Sequence, residues 1–211
     1  MNNPLVIIQA RSNSVRLPNK IMATIGGIPL IDHVMQSVSM SGIPFVVAIP
    51  KDDPVGAYLL KRKVRYFEGL ENDVLNRYYQ CAKGYEADPI VRVTADCWAV
   101  LPESIHFLTT ISMTNKVDFI SNTFKPKTVF EGNDVEVMSW RCLKWLNETA
   151  KESRYREHVT NYIYEHKNEF KAANMSWFEY RWNIDLSAVK TSVDTQEDLE
   201  RANYMCSKEK A

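Results

Sequence analysis

The stretch Val6-Ile7-Ile8-Gln9-Ala10-Arg11-Ser12-Asn13-Ser14-Val15-Arg16-Leu17-Pro18-Asn19-Lys20 changes character at Gln9. Residues 5–9 are mostly apolar and β-branched, the pattern of a buried strand. A polar loop follows at once, carrying Arg11, Arg16 and Lys20 with Ser14 among them. Strand, cationic loop, then helix is how α/β proteins present charge to a phosphate-bearing ligand at the carboxyl edge of a sheet. Like charges repel, so cations gathered round a short loop gain from a polyanion between them. Loop arginines and lysines are ordinarily just solvated. Here the loop directly follows the first core strand, and Asn13 and Asn19 stand where sharp turns are expected, because Asn tolerates left-handed dihedrals.

Outward from this loop, strands and helices alternate. Pro29 is expected to open a helix to about Met40. Phe45–Ile49 reads as a second strand stopped by Pro50, residues 54–63 as a helix, and Val64–Phe67 as a short strand. Asp73 begins an amphipathic helix to about Gly84, with Val74, Leu75, Tyr78, Tyr79 and Ala82 on one side. Ile90–Thr94 is a buried strand, and Pro102 opens the next helix. Val117–Ser121 and Val135–Met138 read as strands, 139–151 and 156–167 as helices. A last strand over 191–193 precedes a helix from Thr195 to about Cys206. Repeated βα units imply an α/β three-layer sandwich: a mostly parallel sheet covered on both faces.

The 211 residues suit one domain, or one domain with an insertion. Lys+Arg and Asp+Glu balance at 26 each, so bulk electrostatic binding to nucleic acid or membrane is not expected, and any cationic site is local. Cys81, Cys97, Cys142 and Cys206 form no CxxC pair, which favours reduced thiols and a cytoplasmic location. The start Met-Asn-Asn-Pro lacks the features of a signal peptide, and no apolar run is long enough to span a bilayer.

Two segments carry carboxylates to the ends of expected strands. Ile90-Val91-Arg92-Val93-Thr94-Ala95-Asp96 ends in one, and its hard oxygens suit Mg²⁺. Taken alone, Asp96 as a cap on the next helix is the plainer account. In Ser192-Val193-Asp194-Thr195-Gln196-Glu197-Asp198, Thr195 fits an N-cap and Asp198 its capping-box partner. Asp194 then falls just outside the helix, free for a metal. A cationic loop with two such carboxylates describes a nucleoside triphosphate plus Mg²⁺. The chain has no GxxxxGK[ST], no GxGxxG and no zinc spacing.

Ile8-Gln9-Ala10-Arg11-x-x-Ser14-x-Arg16-Leu17-Pro18-x-Lys20 resembles the nucleotide-binding signature of cytidylyltransferases that make CMP-activated sugar acids. The chain is most similar to their SpsF-like spore coat polysaccharide branch, and similar also to CMP-Kdo synthetases. Further matching stretches are Glu71–Tyr79, Val91–Cys97, Asn133–Val137, Arg156–Thr160 and Val193–Leu199, in order along nearly the whole chain.

The resemblance implies a nucleotide-diphospho-sugar transferase-like (GT-A/Rossmann-like) fold in a single domain, 1–211. A small acceptor or dimerisation subdomain is expected around 123–185. The resemblance also implies CTP as substrate, Mg²⁺ as cofactor, a small acidic acceptor and a homodimer. Arg11, Ser14, Arg16 and Lys20 would hold the triphosphate, Gln9 and Ala10 would offer backbone groups to the base, and Asp73, Arg77 and Thr94 would lie near the nucleotide. Arg11, Arg16, Lys20 and Asp96 would carry catalysis, with Asp96 and Asp194 on the metal. Asp134, Glu136, Arg156 and His158 would face the acceptor.

The chain departs from the family where Asn13 and Asn19 replace glycine, where Trp98 and Ala99 follow Asp96-Cys97, and in Lys125–Glu131. Arg154, Lys125, Lys127 and Arg181 add positive charge suited to an acidic acceptor. Arg154 and Arg156 could equally pair with Glu152 and Glu157 on an exposed helix start. Trp177, Phe178, Tyr180 and Trp182 suit core or dimer packing better than sugar stacking. Two competing functions are a glycosyltransferase of related fold, disfavoured because no Asp-x-Asp occurs, and a non-catalytic nucleotide-binding protein of a glycan pathway.

Overall fold

A computed structural model describes residues 3–124, 127–182 and 185–208, without the side chains of Phe178, Glu179 and Trp182. The strands are β1 (Leu5–Gln9), β2 (Thr24–Ile25), β3 (Ile28–Pro29), β4 (Phe45–Pro50), β5 (Tyr66–Gly69), β6 (Ile90–Thr94), β7 (Phe119–Ser121), β8 (Glu136–Met138) and β9 (Ala172–Asn174). Seven of them form one sheet in the order β5-β4-β1-β6-β8-β7-β9. β8 runs antiparallel to both its neighbours, and the other pairings are parallel. Segment 123–185 therefore contributes β8 and β9 to the common sheet.

Alternation along β1 builds the three layers. Val6 and Ile8 face one core, Leu5 and Ile7 the other, and all four are buried. The first core is covered by α1 (Leu30–Met40), α2 (Val55–Lys61), α4 (Pro102–Asn115) and α9 (Gln196–Lys208). The second is covered by α3 (Val74–Gly84), α5 (Trp140–Thr149), α6 (Ser153–Glu157) and α7 (Asn161–Glu165). The remaining helix, α8 (Trp177–Trp182), lies against α4. Burying each Val or Ile on these faces stabilises the fold by about 1.5–3 kcal/mol.

Several expectations shift. Lys63 takes a left-handed conformation (φ 57°) as the chain leaves α2, so the expected strand at 64–67 starts later, at Tyr66. The expected helix over 156–167 is two short helices, because the chain leaves helical dihedrals at His158 (φ −106°, ψ 87°). No strand forms over 191–193. That segment lies against loop backbone, with Thr191 and Ser192 N–H donating to the Glu131 carbonyl and Val193 N–H to the Asp96 carbonyl. The β2–β3 hairpin was unexpected; it turns on Gly26 and Gly27, both at positive φ (59° and 88°). β1 and β6 end side by side, since Gln9 pairs with Thr94, so Ala10 and residues 95 and 96 follow them at one edge of the sheet.

Candidate active site at the carboxyl edge of the sheet

The loop after β1 meets both expected carboxylates at this edge. Lys20 Nζ donates to Asp96 Oδ2 at 3.0 Å and to Asp194 Oδ1 at 2.9 Å, across 76 and 174 residues of chain. Arg16 Nη2 donates to the same Asp194 oxygen at 2.8 Å. Burial opposes the charge on Lys20, but Asp96 and Asp194 outweigh it and hold the ammonium above its ordinary pKa. Burial likewise disfavours ionised Asp96, and Lys20 with the Thr94 hydroxyl overcomes this, holding the carboxyl below the usual range. Both groups are therefore charged at neutral pH.

Asp96 is not a helix cap: α4 begins at Pro102, with Leu101 in the N-cap position. Asp194 is free of that duty as well. Thr195 Oγ1 accepts from Asp198 N–H at 3.3 Å, and Asp198 Oδ2 accepts from Thr195 N–H at 3.1 Å, the expected capping box. Burial works against the Asp198 charge, but Arg201, Lys190 and backbone N–H groups hold its carboxyl far below the usual range.

The loop itself is anchored by a residue outside the sequence motif. Ser12 donates its N–H and its hydroxyl to the two oxygens of Asp53, at 2.9 and 2.5 Å. Asn19 is left-handed (φ 55°), as expected; Asn13 is not among the residues with positive φ, and its side chain reaches Glu71 instead. Arg11 is half-exposed and 4.0 Å from Glu157, and Ser14 lies on the same loop with its N–H bonded to the Ser12 carbonyl. One backbone group of each residue expected to meet the base is engaged at the end of the sheet. The Gln9 carbonyl accepts from Ala95, and Ala10 N–H donates to Ala48.

Two cavities flank this edge. One, of about 340 Å³, is lined by Arg11, Glu71, Asn72, Asp73, Ser153, Arg156 and Glu157. Asp73 caps α3 through Asn76 N–H and takes a two-pronged contact from Arg156 at 2.9 and 2.8 Å. Arg156 is thus placed with Asp73 here, not with the expected acceptor residues; it pairs with neither Glu152 nor Glu157. Arg77 is buried and gives one N–H to the Leu70 carbonyl. Its Nε and Nη2 have no partner among the described residues, and burial depresses its basicity.

The second cavity, of about 410 Å³, brings Asp134, Glu136 and His158 together with Arg92, Thr94, Thr123, Thr160, Asn161 and Tyr164. Glu136 accepts from Arg92 at 2.6 Å, Thr160 at 3.0 Å and Tyr164 at 2.7 Å. Arg92 also reaches the Gln9 side chain at 3.2 Å, and the Tyr164 hydroxyl bonds Thr123. Burial raises the Asp134 carboxyl above the ordinary range despite Lys127 at 2.6 Å. Sequence reasoning missed Arg92, Thr160, Tyr164 and Asp53 as site residues. The one available signal was Arg92, a charge between Val91 and Val93 in an apolar strand.

The remaining expected residues fall elsewhere. Arg154 pairs with Glu152 and Glu165 on the surface. Trp177 and Tyr180 pack on Phe107 of α4, at 5.4 and 5.0 Å between ring centres, consistent with packing and not sugar stacking. Trp98 donates its indole N–H to the Thr191 carbonyl at 2.6 Å, so it braces the segment leading to Asp194. Lys125 and the side chains of Phe178 and Trp182 lie outside the described residues.

The donor set fits Mg²⁺. Two carboxylate oxygens converge on one cation, the Lys20 ammonium, and no larger His, Cys, Asp or Glu cluster occurs among the described residues. Mg²⁺ is commonly held by one or two carboxylates with phosphates and waters completing its shell.

Fold and site together define a nucleotidyltransferase of the nucleotide-diphospho-sugar transferase type. Within that class, residues 5–210 match the cytidylyltransferase family, and the chain belongs to it. It is 28% identical over 210 residues to the spore coat polysaccharide biosynthesis protein SpsF of Bacillus subtilis, covering 95% of this chain and 85% of that protein. It is 24% identical to the 3-deoxy-manno-octulosonate cytidylyltransferase of Bartonella tribocorum, covering 94% and 96%. A solved cytidylyltransferase from Leptospira borgpetersenii superposes with a TM-score of 0.91 at 26% identity, covering 99% of this chain and 88% of that one.

Proposed function

We propose that the protein transfers CMP from CTP to a hydroxyl of an acidic sugar or similar acceptor in glycan biosynthesis, releasing pyrophosphate. The observation that carries this is the meeting of Arg16 and Lys20 with Asp96 and Asp194 beside a separate hydroxyl-lined cavity. The acceptor oxygen forms a bond to the α-phosphorus as the bond from that phosphorus to the leaving pyrophosphate breaks. Arg11, Arg16 and Lys20 take the charge that develops on the phosphate oxygens. Asp96 and Asp194 would hold Mg²⁺, which when bound would supply further charge neutralisation at the phosphates. Asp134, made more basic by burial, takes the proton of the acceptor hydroxyl. Thr160, Tyr164, Asn161 and His158 line the cavity that receives the acceptor.

The names of the Bacillus and Bartonella relatives support a polysaccharide pathway and a sugar-acid acceptor. The free thiols of Cys81, Cys97, Cys142 and Cys206 support a reducing compartment, the cytoplasm, and among the described residues no helix is long and apolar enough to cross a membrane. A homodimer belongs to the same proposal, and sedimentation measures it. Pyrophosphate release from CTP, UTP, ATP and GTP, with and without a panel of sugar acids, tests the whole. CTP with one sugar acid should dominate. Equal turnover of all four nucleotides defeats the base assignment, and turnover of none with any acceptor defeats the reaction.

A further inference from the structure

We propose that the Lys20 ammonium stands in for the divalent cation in the nucleotide-free protein, so that metal and triphosphate bind as mutually dependent ligands. The proposal rests on the assignment above of Asp96 and Asp194 to Mg²⁺ and of the loop cations to phosphate. Lys20 Nζ lies 3.0 Å from Asp96 Oδ2 and 2.9 Å from Asp194 Oδ1, and Arg16 occupies that same Asp194 oxygen at 2.8 Å. Both carboxylates that would meet the metal are therefore already paired, through one oxygen each, with cations from within the chain.

Mg²⁺ needs its oxygen ligands at about 2.0–2.1 Å. An ammonium seated between those two carboxylates opposes a metal entering there, because two cations would then crowd one site. Lys20 is only 13% exposed, so it has little access to solvent as an alternative partner.

A triphosphate provides the exit. An ammonium has three donors, and two of those on Lys20 are committed to carboxylates. Phosphate oxygens can take the third and then draw the group away from Asp96 and Asp194, leaving both carboxylates to the metal. Arg16, 66% exposed on the same loop, is free to follow. Metal alone must expel Lys20 with nothing to receive it. Nucleotide alone must strip Lys20 from two carboxylates left uncompensated. Each ligand removes the other's obstacle, and linkage makes that coupling equal in both directions.

The Arg92–Glu136 pair cannot behave this way. Glu136 also accepts from Thr160 and Tyr164, and Arg92 also holds Gln9, so that pair is fixed on several sides.

Titration calorimetry with Mg²⁺ alone, and Mn²⁺ paramagnetic resonance in its absence of nucleotide, test the proposal on wild type, Lys20→Gln and Lys20→Met. Either variant should bind the free metal about tenfold or more tightly than wild type, a coupling typical of linked sites. Adding Asp194→Asn should cancel the gain. In EDTA, the Asp96→Asn/Asp194→Asn double variant should bind CTP more tightly than wild type, because Lys20 is released. Circular dichroism checks the fold; if the Lys20 variants do not fold, the EDTA measurement decides by itself. Metal affinity unchanged or weakened in folded Lys20 variants, or no gain in CTP binding in the double variant, overturns the proposal. A metal gain accompanied by no pyrophosphate release in wild type would instead strike the proposed reaction and leave the stand-in cation intact.

Discussion

The carboxyl edge and the cavity beside it hold their charges in opposite ways. At the edge, Arg16 and Lys20 belong to the loop after β1 and meet Asp96 and Asp194, with the Thr94 hydroxyl and the Cys97 thiol as further side-chain contacts of Asp96. In the cavity, Arg92 and Glu136 stand on adjacent strands, are mostly buried, and are bonded by Gln9, Thr160 and Tyr164 as well. A loop cation can change partners when a ligand arrives; a strand-borne pair braced on several sides cannot. The first region is built to respond to charge, the second to present a fixed shape.

That contrast predicts where stability and activity part company. Glu136→Ala should have the largest effect on folding. It leaves the Arg92 guanidinium buried without its counter-charge, and breaking a buried pair from one side costs about 3–5 kcal/mol. Urea denaturation measures it; a loss below about 1 kcal/mol would erase the distinction between the two regions.

Arg16→Ala should do the reverse. Its side chain is two-thirds exposed, so stability should change by less than about 1 kcal/mol. Loss of a charge-assisted phosphate contact, about 1.5–3 kcal/mol, should lower kcat/KM for CTP by about ten- to a hundredfold. Asp96→Asn sharpens the point: the amide keeps the shape but not the charge, and Mg²⁺-dependent activity should disappear from a folded protein. Full activity in either variant would return that residue to a surface role.

The pH dependence separates the regions by sign. Lys20 is raised above 10.5, so its contribution to stability is complete below that value and is lost as pH rises through the folded pKa. Asp96 is lowered below 3.8, so its contribution is present above that value and is lost as pH falls through the folded pKa. The Lys20–Asp96 contribution is thus constant between these limits. Asp134 is raised, so it gains a proton before Asp96 on acidification, and ionising it opposes folding. The acid limb of kcat/KM should therefore belong to the cavity, and Asp134→Asn should abolish that limb along with most turnover. An acid limb unchanged in residual Asp134→Asn activity would place the proton acceptor elsewhere.

The smallest expected effect is at Asp53→Asn. The loop keeps its cations but loses the carboxylate that holds Ser12 at two points. At about 1 kcal/mol, KM for CTP should rise about fivefold with kcat little changed. A fall in kcat with KM constant would make Asp53 more than an anchor.

Much of this was legible along the chain. β1, β4, β6, α3 and α9 stand close to where their apolar patterns and caps put them, because strand alternation, helical periodicity and capping boxes act between residues a few positions apart. The loop cations and the carboxylates at 96 and 194 were visible for the same reason, as local departures from apolar strands. Which charge meets which was not. Lys20 finds Asp194 across 174 residues, Arg156 finds Asp73 across 83, and Glu136 finds Arg92 only because β8 enters antiparallel beside β6. Nor could local pattern show that residues 191–193 stay out of the sheet, since that depends on Glu131, Asp96 and Trp98 lying alongside. Short-range energies shape the elements. Ion-pair partners depend on which loops the sheet's strand order and register bring to one edge, and that is decided only when the chain is packed.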